Sequence, residues 1–235
     1  MKYEKRYDGR EFEELRPMEA KVGVVKNAIG SAMFKIGKTV AIAAVYGPND
    51  LFPKFLQYPD KARLRCHYNM MAFSGAGDRV RPGTSRRSKE ISMVTEKALL
   101  PALDLQDFPK AVIDVHIELI QTDAGTRCAG ICAASLALAD AGLEMKDLVA
   151  AISGGLVGQT PVVDLDKQEE DFPNGAVDIP IAVLPRTGEL TLLQLDGEIT
   201  KEQLKITLEF AKKGCDKIYE VQRAALRAKY EEAKK

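Results

Sequence analysis

The stretch from Ala111 to Gly142 reads AVIDVHIELI-QTDAGTR-CAGICAASLALADAG. In its opening part Ala111, Ile113, Val115, Ile117 and Leu119 are apolar, while Asp114, His116 and Glu118 between them are polar. That period of two predicts a β-strand with one buried face. From Cys128 to Ala141 the residues are mostly Ala, Leu, Ile and Cys, and Gly142 stands where a helix C′ residue belongs. This predicts a helix buried on nearly all sides. Between the two lies Asp123-Ala-Gly-Thr-Arg127. A strand that turns through Gly125 into a helix start aims free backbone N–H groups and the positive end of a dipole at one point. Thr126 adds a hydroxyl there and Arg127 a forked cation, which together suit phosphate or another small anion. The same residues also suit an ordinary βα turn in which Arg127 pairs with a nearby carboxylate, since Gly-rich turns are common.

Working outward, the 235 residues are enough for one large domain or two intimately packed ones. No apolar run approaches the roughly 20 residues needed to span a bilayer, so no membrane role is expected. The start, MKYEKRYDGR, lacks the apolar core of a secretory signal. A cytoplasmic location is the simple expectation. Cys66, Cys128, Cys132 and Cys215 form no CxxC pair and read as small buried hydrophobes rather than metal ligands. Lys and Arg total 34, as do Asp and Glu, so the net field is silent about partners. The distribution is not. Lys61, Arg63, Arg65, Arg79, Arg81, Arg86, Arg87 and Lys89 are interrupted only by Asp78, whereas Asp164, Asp166, Glu169, Glu170, Asp171 and Asp178 face a single Lys167. Such blocks suit either a local phosphate-polymer site with carboxylates to work on it, or loops of opposite sign that pair with one another.

Residues 1–18 read as an extended polar arm. Short β-type runs follow at 20–29, 31–36 and 39–46, then a loop at 51–60 carrying Lys54, and a further strand at 61–73. A helix is expected from Ser85, with Ile91, Val94, Ala98, Leu99 and Ala102 on its buried face. Arg86 and Arg87 occupy its first turn, where the dipole disfavours cations, and that local conflict is what an anion-binding edge would require. After the central unit come a short helical piece at 145–148, strands at 150–157 and 160–165, an acidic loop at 166–176, and strands at 177–184 and 189–195. Thr200-Lys-Glu-Gln203 has the form of a capping box, opening a long amphipathic helix that frays after Arg227. This order predicts an α+β domain of mixed sheets packed with helices.

No serine sits in a nucleophile elbow, so a Ser-His-Asp triad is unsupported. No GxxxxGK[ST] occurs either, because Ala32 stands where the motif ending Gly37-Lys38-Thr39 needs its first glycine. Phosphoryl chemistry without a dedicated protein nucleophile remains: phosphate as the attacking group, with carboxylates holding Mg²⁺ or acting as acid.

A series of motifs in the same order from about residue 5 to residue 230 resembles the RNase PH family. These are Arg6-Tyr-Asp-Gly-Arg10, Leu15-Arg-Pro17, Gly30-Ser31, Tyr46-Gly-Pro48, Arg86-Arg-Ser-Lys-Glu-Ile-Ser92, Asp123-Ala-Gly-Thr-Arg127, Ala137-Leu-Ala-Asp-Ala-Gly142 and Asp178-Ile-Pro-Ile-Ala182. More narrowly, the chain is similar to the catalytic RNase PH-type subunit of the archaeal exosome. That resemblance implies a ribosomal-protein-S5-domain-2-like fold over residues 1–235, with an arm at 1–18, a core at 19–199 and a terminal helix at 200–235. It also implies a trimer of heterodimers with a second, inactive RNase PH-type subunit, RNA-binding cap subunits on one face, and a single-stranded RNA 3′ end as substrate. The implied reaction is 3′→5′ phosphorolysis: inorganic phosphate is co-substrate, nucleoside diphosphates leave, and the reverse reaction adds tails.

Carried onto this chain, the resemblance makes Gly125, Thr126 and Arg127 the phosphate-binding loop. Arg86 and Arg87 become the pair that grips the last RNA phosphates, and Lys54 a basic residue at a channel neck. Asp178 matches the second catalytic carboxylate and Asp171 the first, with both as ligands of Mg²⁺ or Mn²⁺. The loop between Asp164 and Asp178 is slightly longer than the usual pattern, which leaves Asp171 and Glu170 as alternatives for the first carboxylate. The neck residue is Lys where Arg is commoner, so it keeps the charge but loses the flat, forked contact. Two other readings compete: a stand-alone homohexamer that trims tRNA 3′ ends, and an inactive ring subunit. The second is disfavoured because the anion loop and both acidic positions carry competent residues.

Overall fold

Alternation of apolar and polar side chains marks the strands of one sheet, continuously buried runs form the central strands of another, and the nearly all-apolar run becomes the helix between them. The computed structural model describes residues 3–77, 79–81, 83–173 and 175–232. In the first sheet β1 (Met18–Val22), β2 (Gly30–Ile36), β3 (Thr39–Asp50), β4 (Arg63–Met70) and β5 (Ala111–Gln121) lie in the order β1-β2-β3-β5-β4. All pairs are antiparallel except β4 with β5. A parallel pair needs a crossover, and α1 (Arg86–Leu99) supplies it. The second sheet is antiparallel, ordered β7-β6-β8-β9, from β6 (Ala150–Val157), β7 (Thr160–Val163), β8 (Ala176–Leu184) and β9 (Glu189–Leu193). The one-turn helix α3 (Lys167–Glu170) precedes β8, and α4 (Lys201–Glu232) closes the chain.

The central unit forms as its sequence predicts. On β5, Ile113, Val115, Ile117 and Leu119 are buried and His116 is exposed. All of α2 (Thr126–Asp140) is buried except Arg127 and Ala139, because it packs on β2 and β3 of one sheet and β6 of the other. A single hydrophobic cluster therefore runs from Phe34 and Leu64 through Ile131 and Leu138 to Ile152 and Ile179. The helix ends in a Schellman arrangement: Leu143 N–H donates to Leu138 O (3.4 Å) and Gly142 N–H to Ala139 O (3.1 Å), with Gly142 at φ +77°. Cys66, Cys128, Cys132 and Cys215 are all free and buried.

Helix α1 starts where Ser85 caps it. Ser85 accepts from Ser88 N–H (3.0 Å), while the Ser88 hydroxyl accepts from Ser85 N–H (2.8 Å). Ile91, Val94, Ala98 and Leu99 face the core as expected. The capping box before α4 also forms, between Thr200 and Gln203. No helix among the described residues is long and apolar enough to cross a membrane.

Four expectations need correction. The strand expected over 20–29 ends at Val22, and the acidic loop expected at 166–176 contains α3. Residues 145–148 make no helix; Met145 instead bridges Leu103, because the segment is stretched between α2 and β6. Helix α4 continues past Arg227 to Glu232, where Lys229 pairs with Asp140 at the end of α2. The N-terminal arm carries no helix or strand over residues 3–17, and Tyr3, Arg6, Leu15 and Arg16 along it are buried, since Arg6 and Arg16 find carboxylate partners beneath the second sheet's edge.

Two separated motifs meet at the sheet–helix junction. Ser31 N–H donates to Asp140 (3.0 Å), and a Cβ on Gly30 would lie 2.2 Å from Ala141 N and 2.4 Å from Ala137 O. Both obstacles are backbone, so the helix end must move to admit a methyl. Gly30→Ala is expected to destabilise the fold by about 3 kcal/mol, at the upper end of overpacking costs. Urea denaturation with an unchanged m-value and a lowered midpoint checks this.

Candidate active site

The loop Asp123–Arg127 is shaped by its neighbours. Ala124 (φ +58°) and Gly125 (φ +61°) both adopt left-handed backbone, which turns the chain sharply from β5 into α2. The Thr39 hydroxyl accepts from Asp123 N–H (2.9 Å) and donates to Ala124 O (2.8 Å), and the Arg16 guanidinium donates to Asp123 O. No side chain caps α2 at Gly125, and no acidic residue sits in its first turn. The first-turn N–H groups thus remain as an electropositive end, with the buried Thr126 beside them.

These residues form one wall of a cavity of about 520 Å³. Gly125, Thr126, Arg127 and Arg87 bring the positive groups, and Glu170 and Asp178 the carboxylates. Met70, Gly75, Ala76, Gly77 and Val80 add a mostly apolar side from the loop after β4. A neighbouring cavity of about 550 Å³ shares Arg87, Arg127, Glu170 and Asp178 and adds Asp171 and Gln194. Arg127 is held in place: it donates to Gln194 and lies 3.3 Å from Glu90 Oε2, while Gln194 donates to Glu90 (3.1 Å). The carboxylate pairing that an ordinary turn would make is therefore present, and the same guanidinium also faces the cavity.

Asp178 comes from β8, opposite Gly155 of β6, and its backbone bridges Asp196. Burial raises its pKa above the ordinary aspartate value; Asp196 pushes the same way, and the Ser153 hydroxyl and Arg127 only partly offset this. Glu170 is also raised, first by burial and then by the charge of Asp178. Two buried carboxylates with raised pKa values beside a cluster of cations have the character of a proton-holding or cation-holding site.

The predicted residues do not all converge. Gly125, Thr126, Arg127, Arg87 and Asp178 share the main cavity. Arg86 is exposed and lines neither cavity, because the next helical position points about 100° away. Lys54 sits on a turn after β3 and lines neither. Asp171 lines only the second cavity; its side chain is 63% exposed and pairs with Lys167 (2.6 Å). Glu170 faces both cavities, so the geometry favours it over Asp171 as the carboxylate nearest the phosphate loop. Among the described residues no group of three or more His, Cys, Asp or Glu could cage a metal. Mg²⁺ needs only one or two carboxylates besides water and substrate oxygens, and Asp178 and Glu170, which line one cavity, fit that demand. Arg16, Thr39 and Ser153 escaped the sequence reading. Only the Leu15-Arg-Pro17 motif hinted at Arg16.

Sequence profiles of the 3′ exoribonuclease family match residues 14–144 (domain 1, RNase PH) and 147–214 (domain 2). The chain belongs to this family. It is 53% identical to the exosome complex component Rrp41 of Pyrococcus furiosus over 226 residues, covering 96% of this chain and 89% of that one. It is 48% identical to the Rrp41 of Methanopyrus kandleri, covering 96% and 93%. The fold matches rice Rrp46 (TM-score 0.83, 24% identity, 94% and 100% covered). It also matches a chain of the Archaeoglobus fulgidus exosome with RNA bound to the active site (TM-score 0.79, 22% identity, 92% of each chain).

The raised pKa of Asp178 has a stability consequence. The fold binds its proton more tightly than the unfolded chain does, so ionised Asp178 costs stability at neutral pH. That cost disappears as pH falls through the raised folded value toward the ordinary aspartate range. Asp178→Asn is therefore expected to raise Tm at neutral pH, with the gain shrinking toward about pH 4. Paired thermal melts at the two pH values check it.

Proposed function

We propose that this chain is the catalytic subunit of an archaeal-type exosome ring, degrading RNA from the 3′ end by phosphorolysis. One observation carries the reading: the N-terminus of α2 with Arg127, and the carboxylates Glu170 and Asp178, line the same cavity. Orthophosphate seats on the Gly125–Thr126 turn and the Arg127 guanidinium. The last phosphodiester of the RNA lies between it and the acids, its neighbouring phosphate gripped by Arg87. An oxygen of orthophosphate forms a bond to the terminal phosphorus, and the bond from that phosphorus to the 3′ oxygen of the preceding nucleotide breaks. The 3′ oxygen takes a proton, and a carboxyl group with a raised pKa is suited to hold one at neutral pH. Asp178 and Glu170, with Asp171 at the rim, would hold Mg²⁺ or Mn²⁺, which when bound neutralises charge on the phosphoryl oxygens. Run backwards, the same site adds nucleotides from diphosphates.

The partners proposed are the RNA 3′ end, a second, inactive RNase PH-type subunit alternating with this one, and RNA-binding caps. Identity of about half to Rrp41 components over nearly the full length supports the exosome assignment over a tRNA-trimming homohexamer. Four free, buried thiols accord with a reducing cytoplasm.

Labelled RNA incubated with phosphate, with the chain alone and with its ring partner, tests this. Phosphate-dependent release of nucleoside diphosphates, strong only with the partner, is expected. Monophosphates would mean hydrolysis, and full activity alone would mean a homohexamer. Separately, Arg87→Glu is expected to weaken RNA binding and reduce its salt slope by about one, with Arg86→Glu doing less. Affinity titrations at several salt concentrations check the order.

A further inference from the structure

Glu169 lines neither cavity, yet its buried carboxylate takes four hydrogen bonds beside the site. Its side chain and that of Arg6 are both 0% exposed. The carboxylate accepts from Arg6 Nε (2.8 Å) and Nη2 (2.7 Å), from the Tyr3 hydroxyl (3.0 Å) and from Asp166 N–H (3.1 Å). Arg6 spends its remaining donors on the carbonyls of Val163 (2.9 Å), Asp164 (2.8 Å) and Glu14 (3.2 Å). The Tyr3 ring packs edge-on against Phe172, 5.5 Å away, just beyond the helix. The four hydrogen bonds to Glu169 act on α3, a helix of four residues, far too short to hold its own conformation.

Side-chain exposure along this turn runs 0% for Glu169, 27% for Glu170 and 63% for Asp171. Consecutive helical residues project about 100° apart. Fixing Glu169 inward therefore decides which of its neighbours faces the cavity and which faces solvent. We infer that Tyr3 and Arg6, by clamping Glu169, set the rotation of α3 and so aim Glu170 toward Asp178. They are positioning residues for the acidic side of the active site, acting from the N-terminal segment. The inference rests on the proposed phosphorolysis only for its consequence in rate. The phosphate loop is held by different residues, Arg16 and Thr39.

The test uses the full chain, assembled with its ring partner. Tyr3→Phe removes one donor and keeps the ring; Glu169→Gln keeps the shape and the capping acceptor but drops the charge. Two quantities are read: amide hydrogen exchange over residues 166–171, and the dependence of rate on phosphate. Faster exchange there with unchanged exchange over 123–129, and a kcat lowered about tenfold with KM for phosphate unchanged, are expected. Should Glu169→Gln fail to fold, Tyr3→Phe alone decides. Exchange that stays at the wild-type rate, or faster exchange with an unaltered kcat, overturns the inference. A wild-type complex that releases no diphosphate removes the proposed function instead, and exchange at 166–171 then decides the clamp by itself.

Discussion

Asp164 is the residue on which the two halves of the active site converge. It is 2% exposed and held in left-handed backbone (φ +55°). Its carboxylate accepts from Arg16 at the backbone (2.7 Å), Nε (3.0 Å) and Nη2 (2.6 Å), while its carbonyl accepts from Arg6 (2.8 Å) and Arg10 (3.2 Å). Arg16 reaches on to Asp123 at the phosphate loop, and Arg6 to Glu169 beneath the acidic one. Removing one member of such a buried pair typically costs roughly 3–5 kcal/mol, because the other charge is left without compensation. The loss would fall on both sides of the cavity together.

The cavity gathers charges of both signs because its walls come from different layers. Helix α2 delivers its electropositive start from the seam between the sheets, and β8 delivers Asp178 from the second sheet. Helix α1, the crossover that the parallel pairing of β4 and β5 requires, brings Arg87 and Glu90 over the same opening. Arginines in a first turn without acidic residues, and carboxylates raised by burial and by neighbouring acids, are each locally unfavourable. Their proximity lets each offset part of the other's cost, and a phosphate-bearing substrate with a cation would offset more.

The fold was legible wherever periodicity was strong. β5, α2, β6 and the buried face of α1 match their patterns closely, because alternation or a sustained apolar run leaves few ways to bury the chain. Residues 145–148 misled because a short polar-apolar mixture has no period of its own, and its conformation is dictated by what it bridges. The N-terminal segment was legible only as polar and extended; composition does not reveal that its arginines are buried against carboxylates some 150 positions away along the chain.

The sequence by itself determined the chemistry: a glycine turn bearing Thr126 and Arg127, a cationic helix start at Arg87, and an acidic segment ending at Asp178. Local composition suffices for this, since residue type and helix position set charge and hydrogen-bonding capacity. Only the tertiary structure decided which acid faces the cavity of the phosphate loop: Glu170 lines it and Asp171 does not. Glu170 and Asp171 are neighbours of equal charge, and their difference lies in the rotation of one turn of helix. That rotation is set by Tyr3 and Arg6, which no local pattern connects to it.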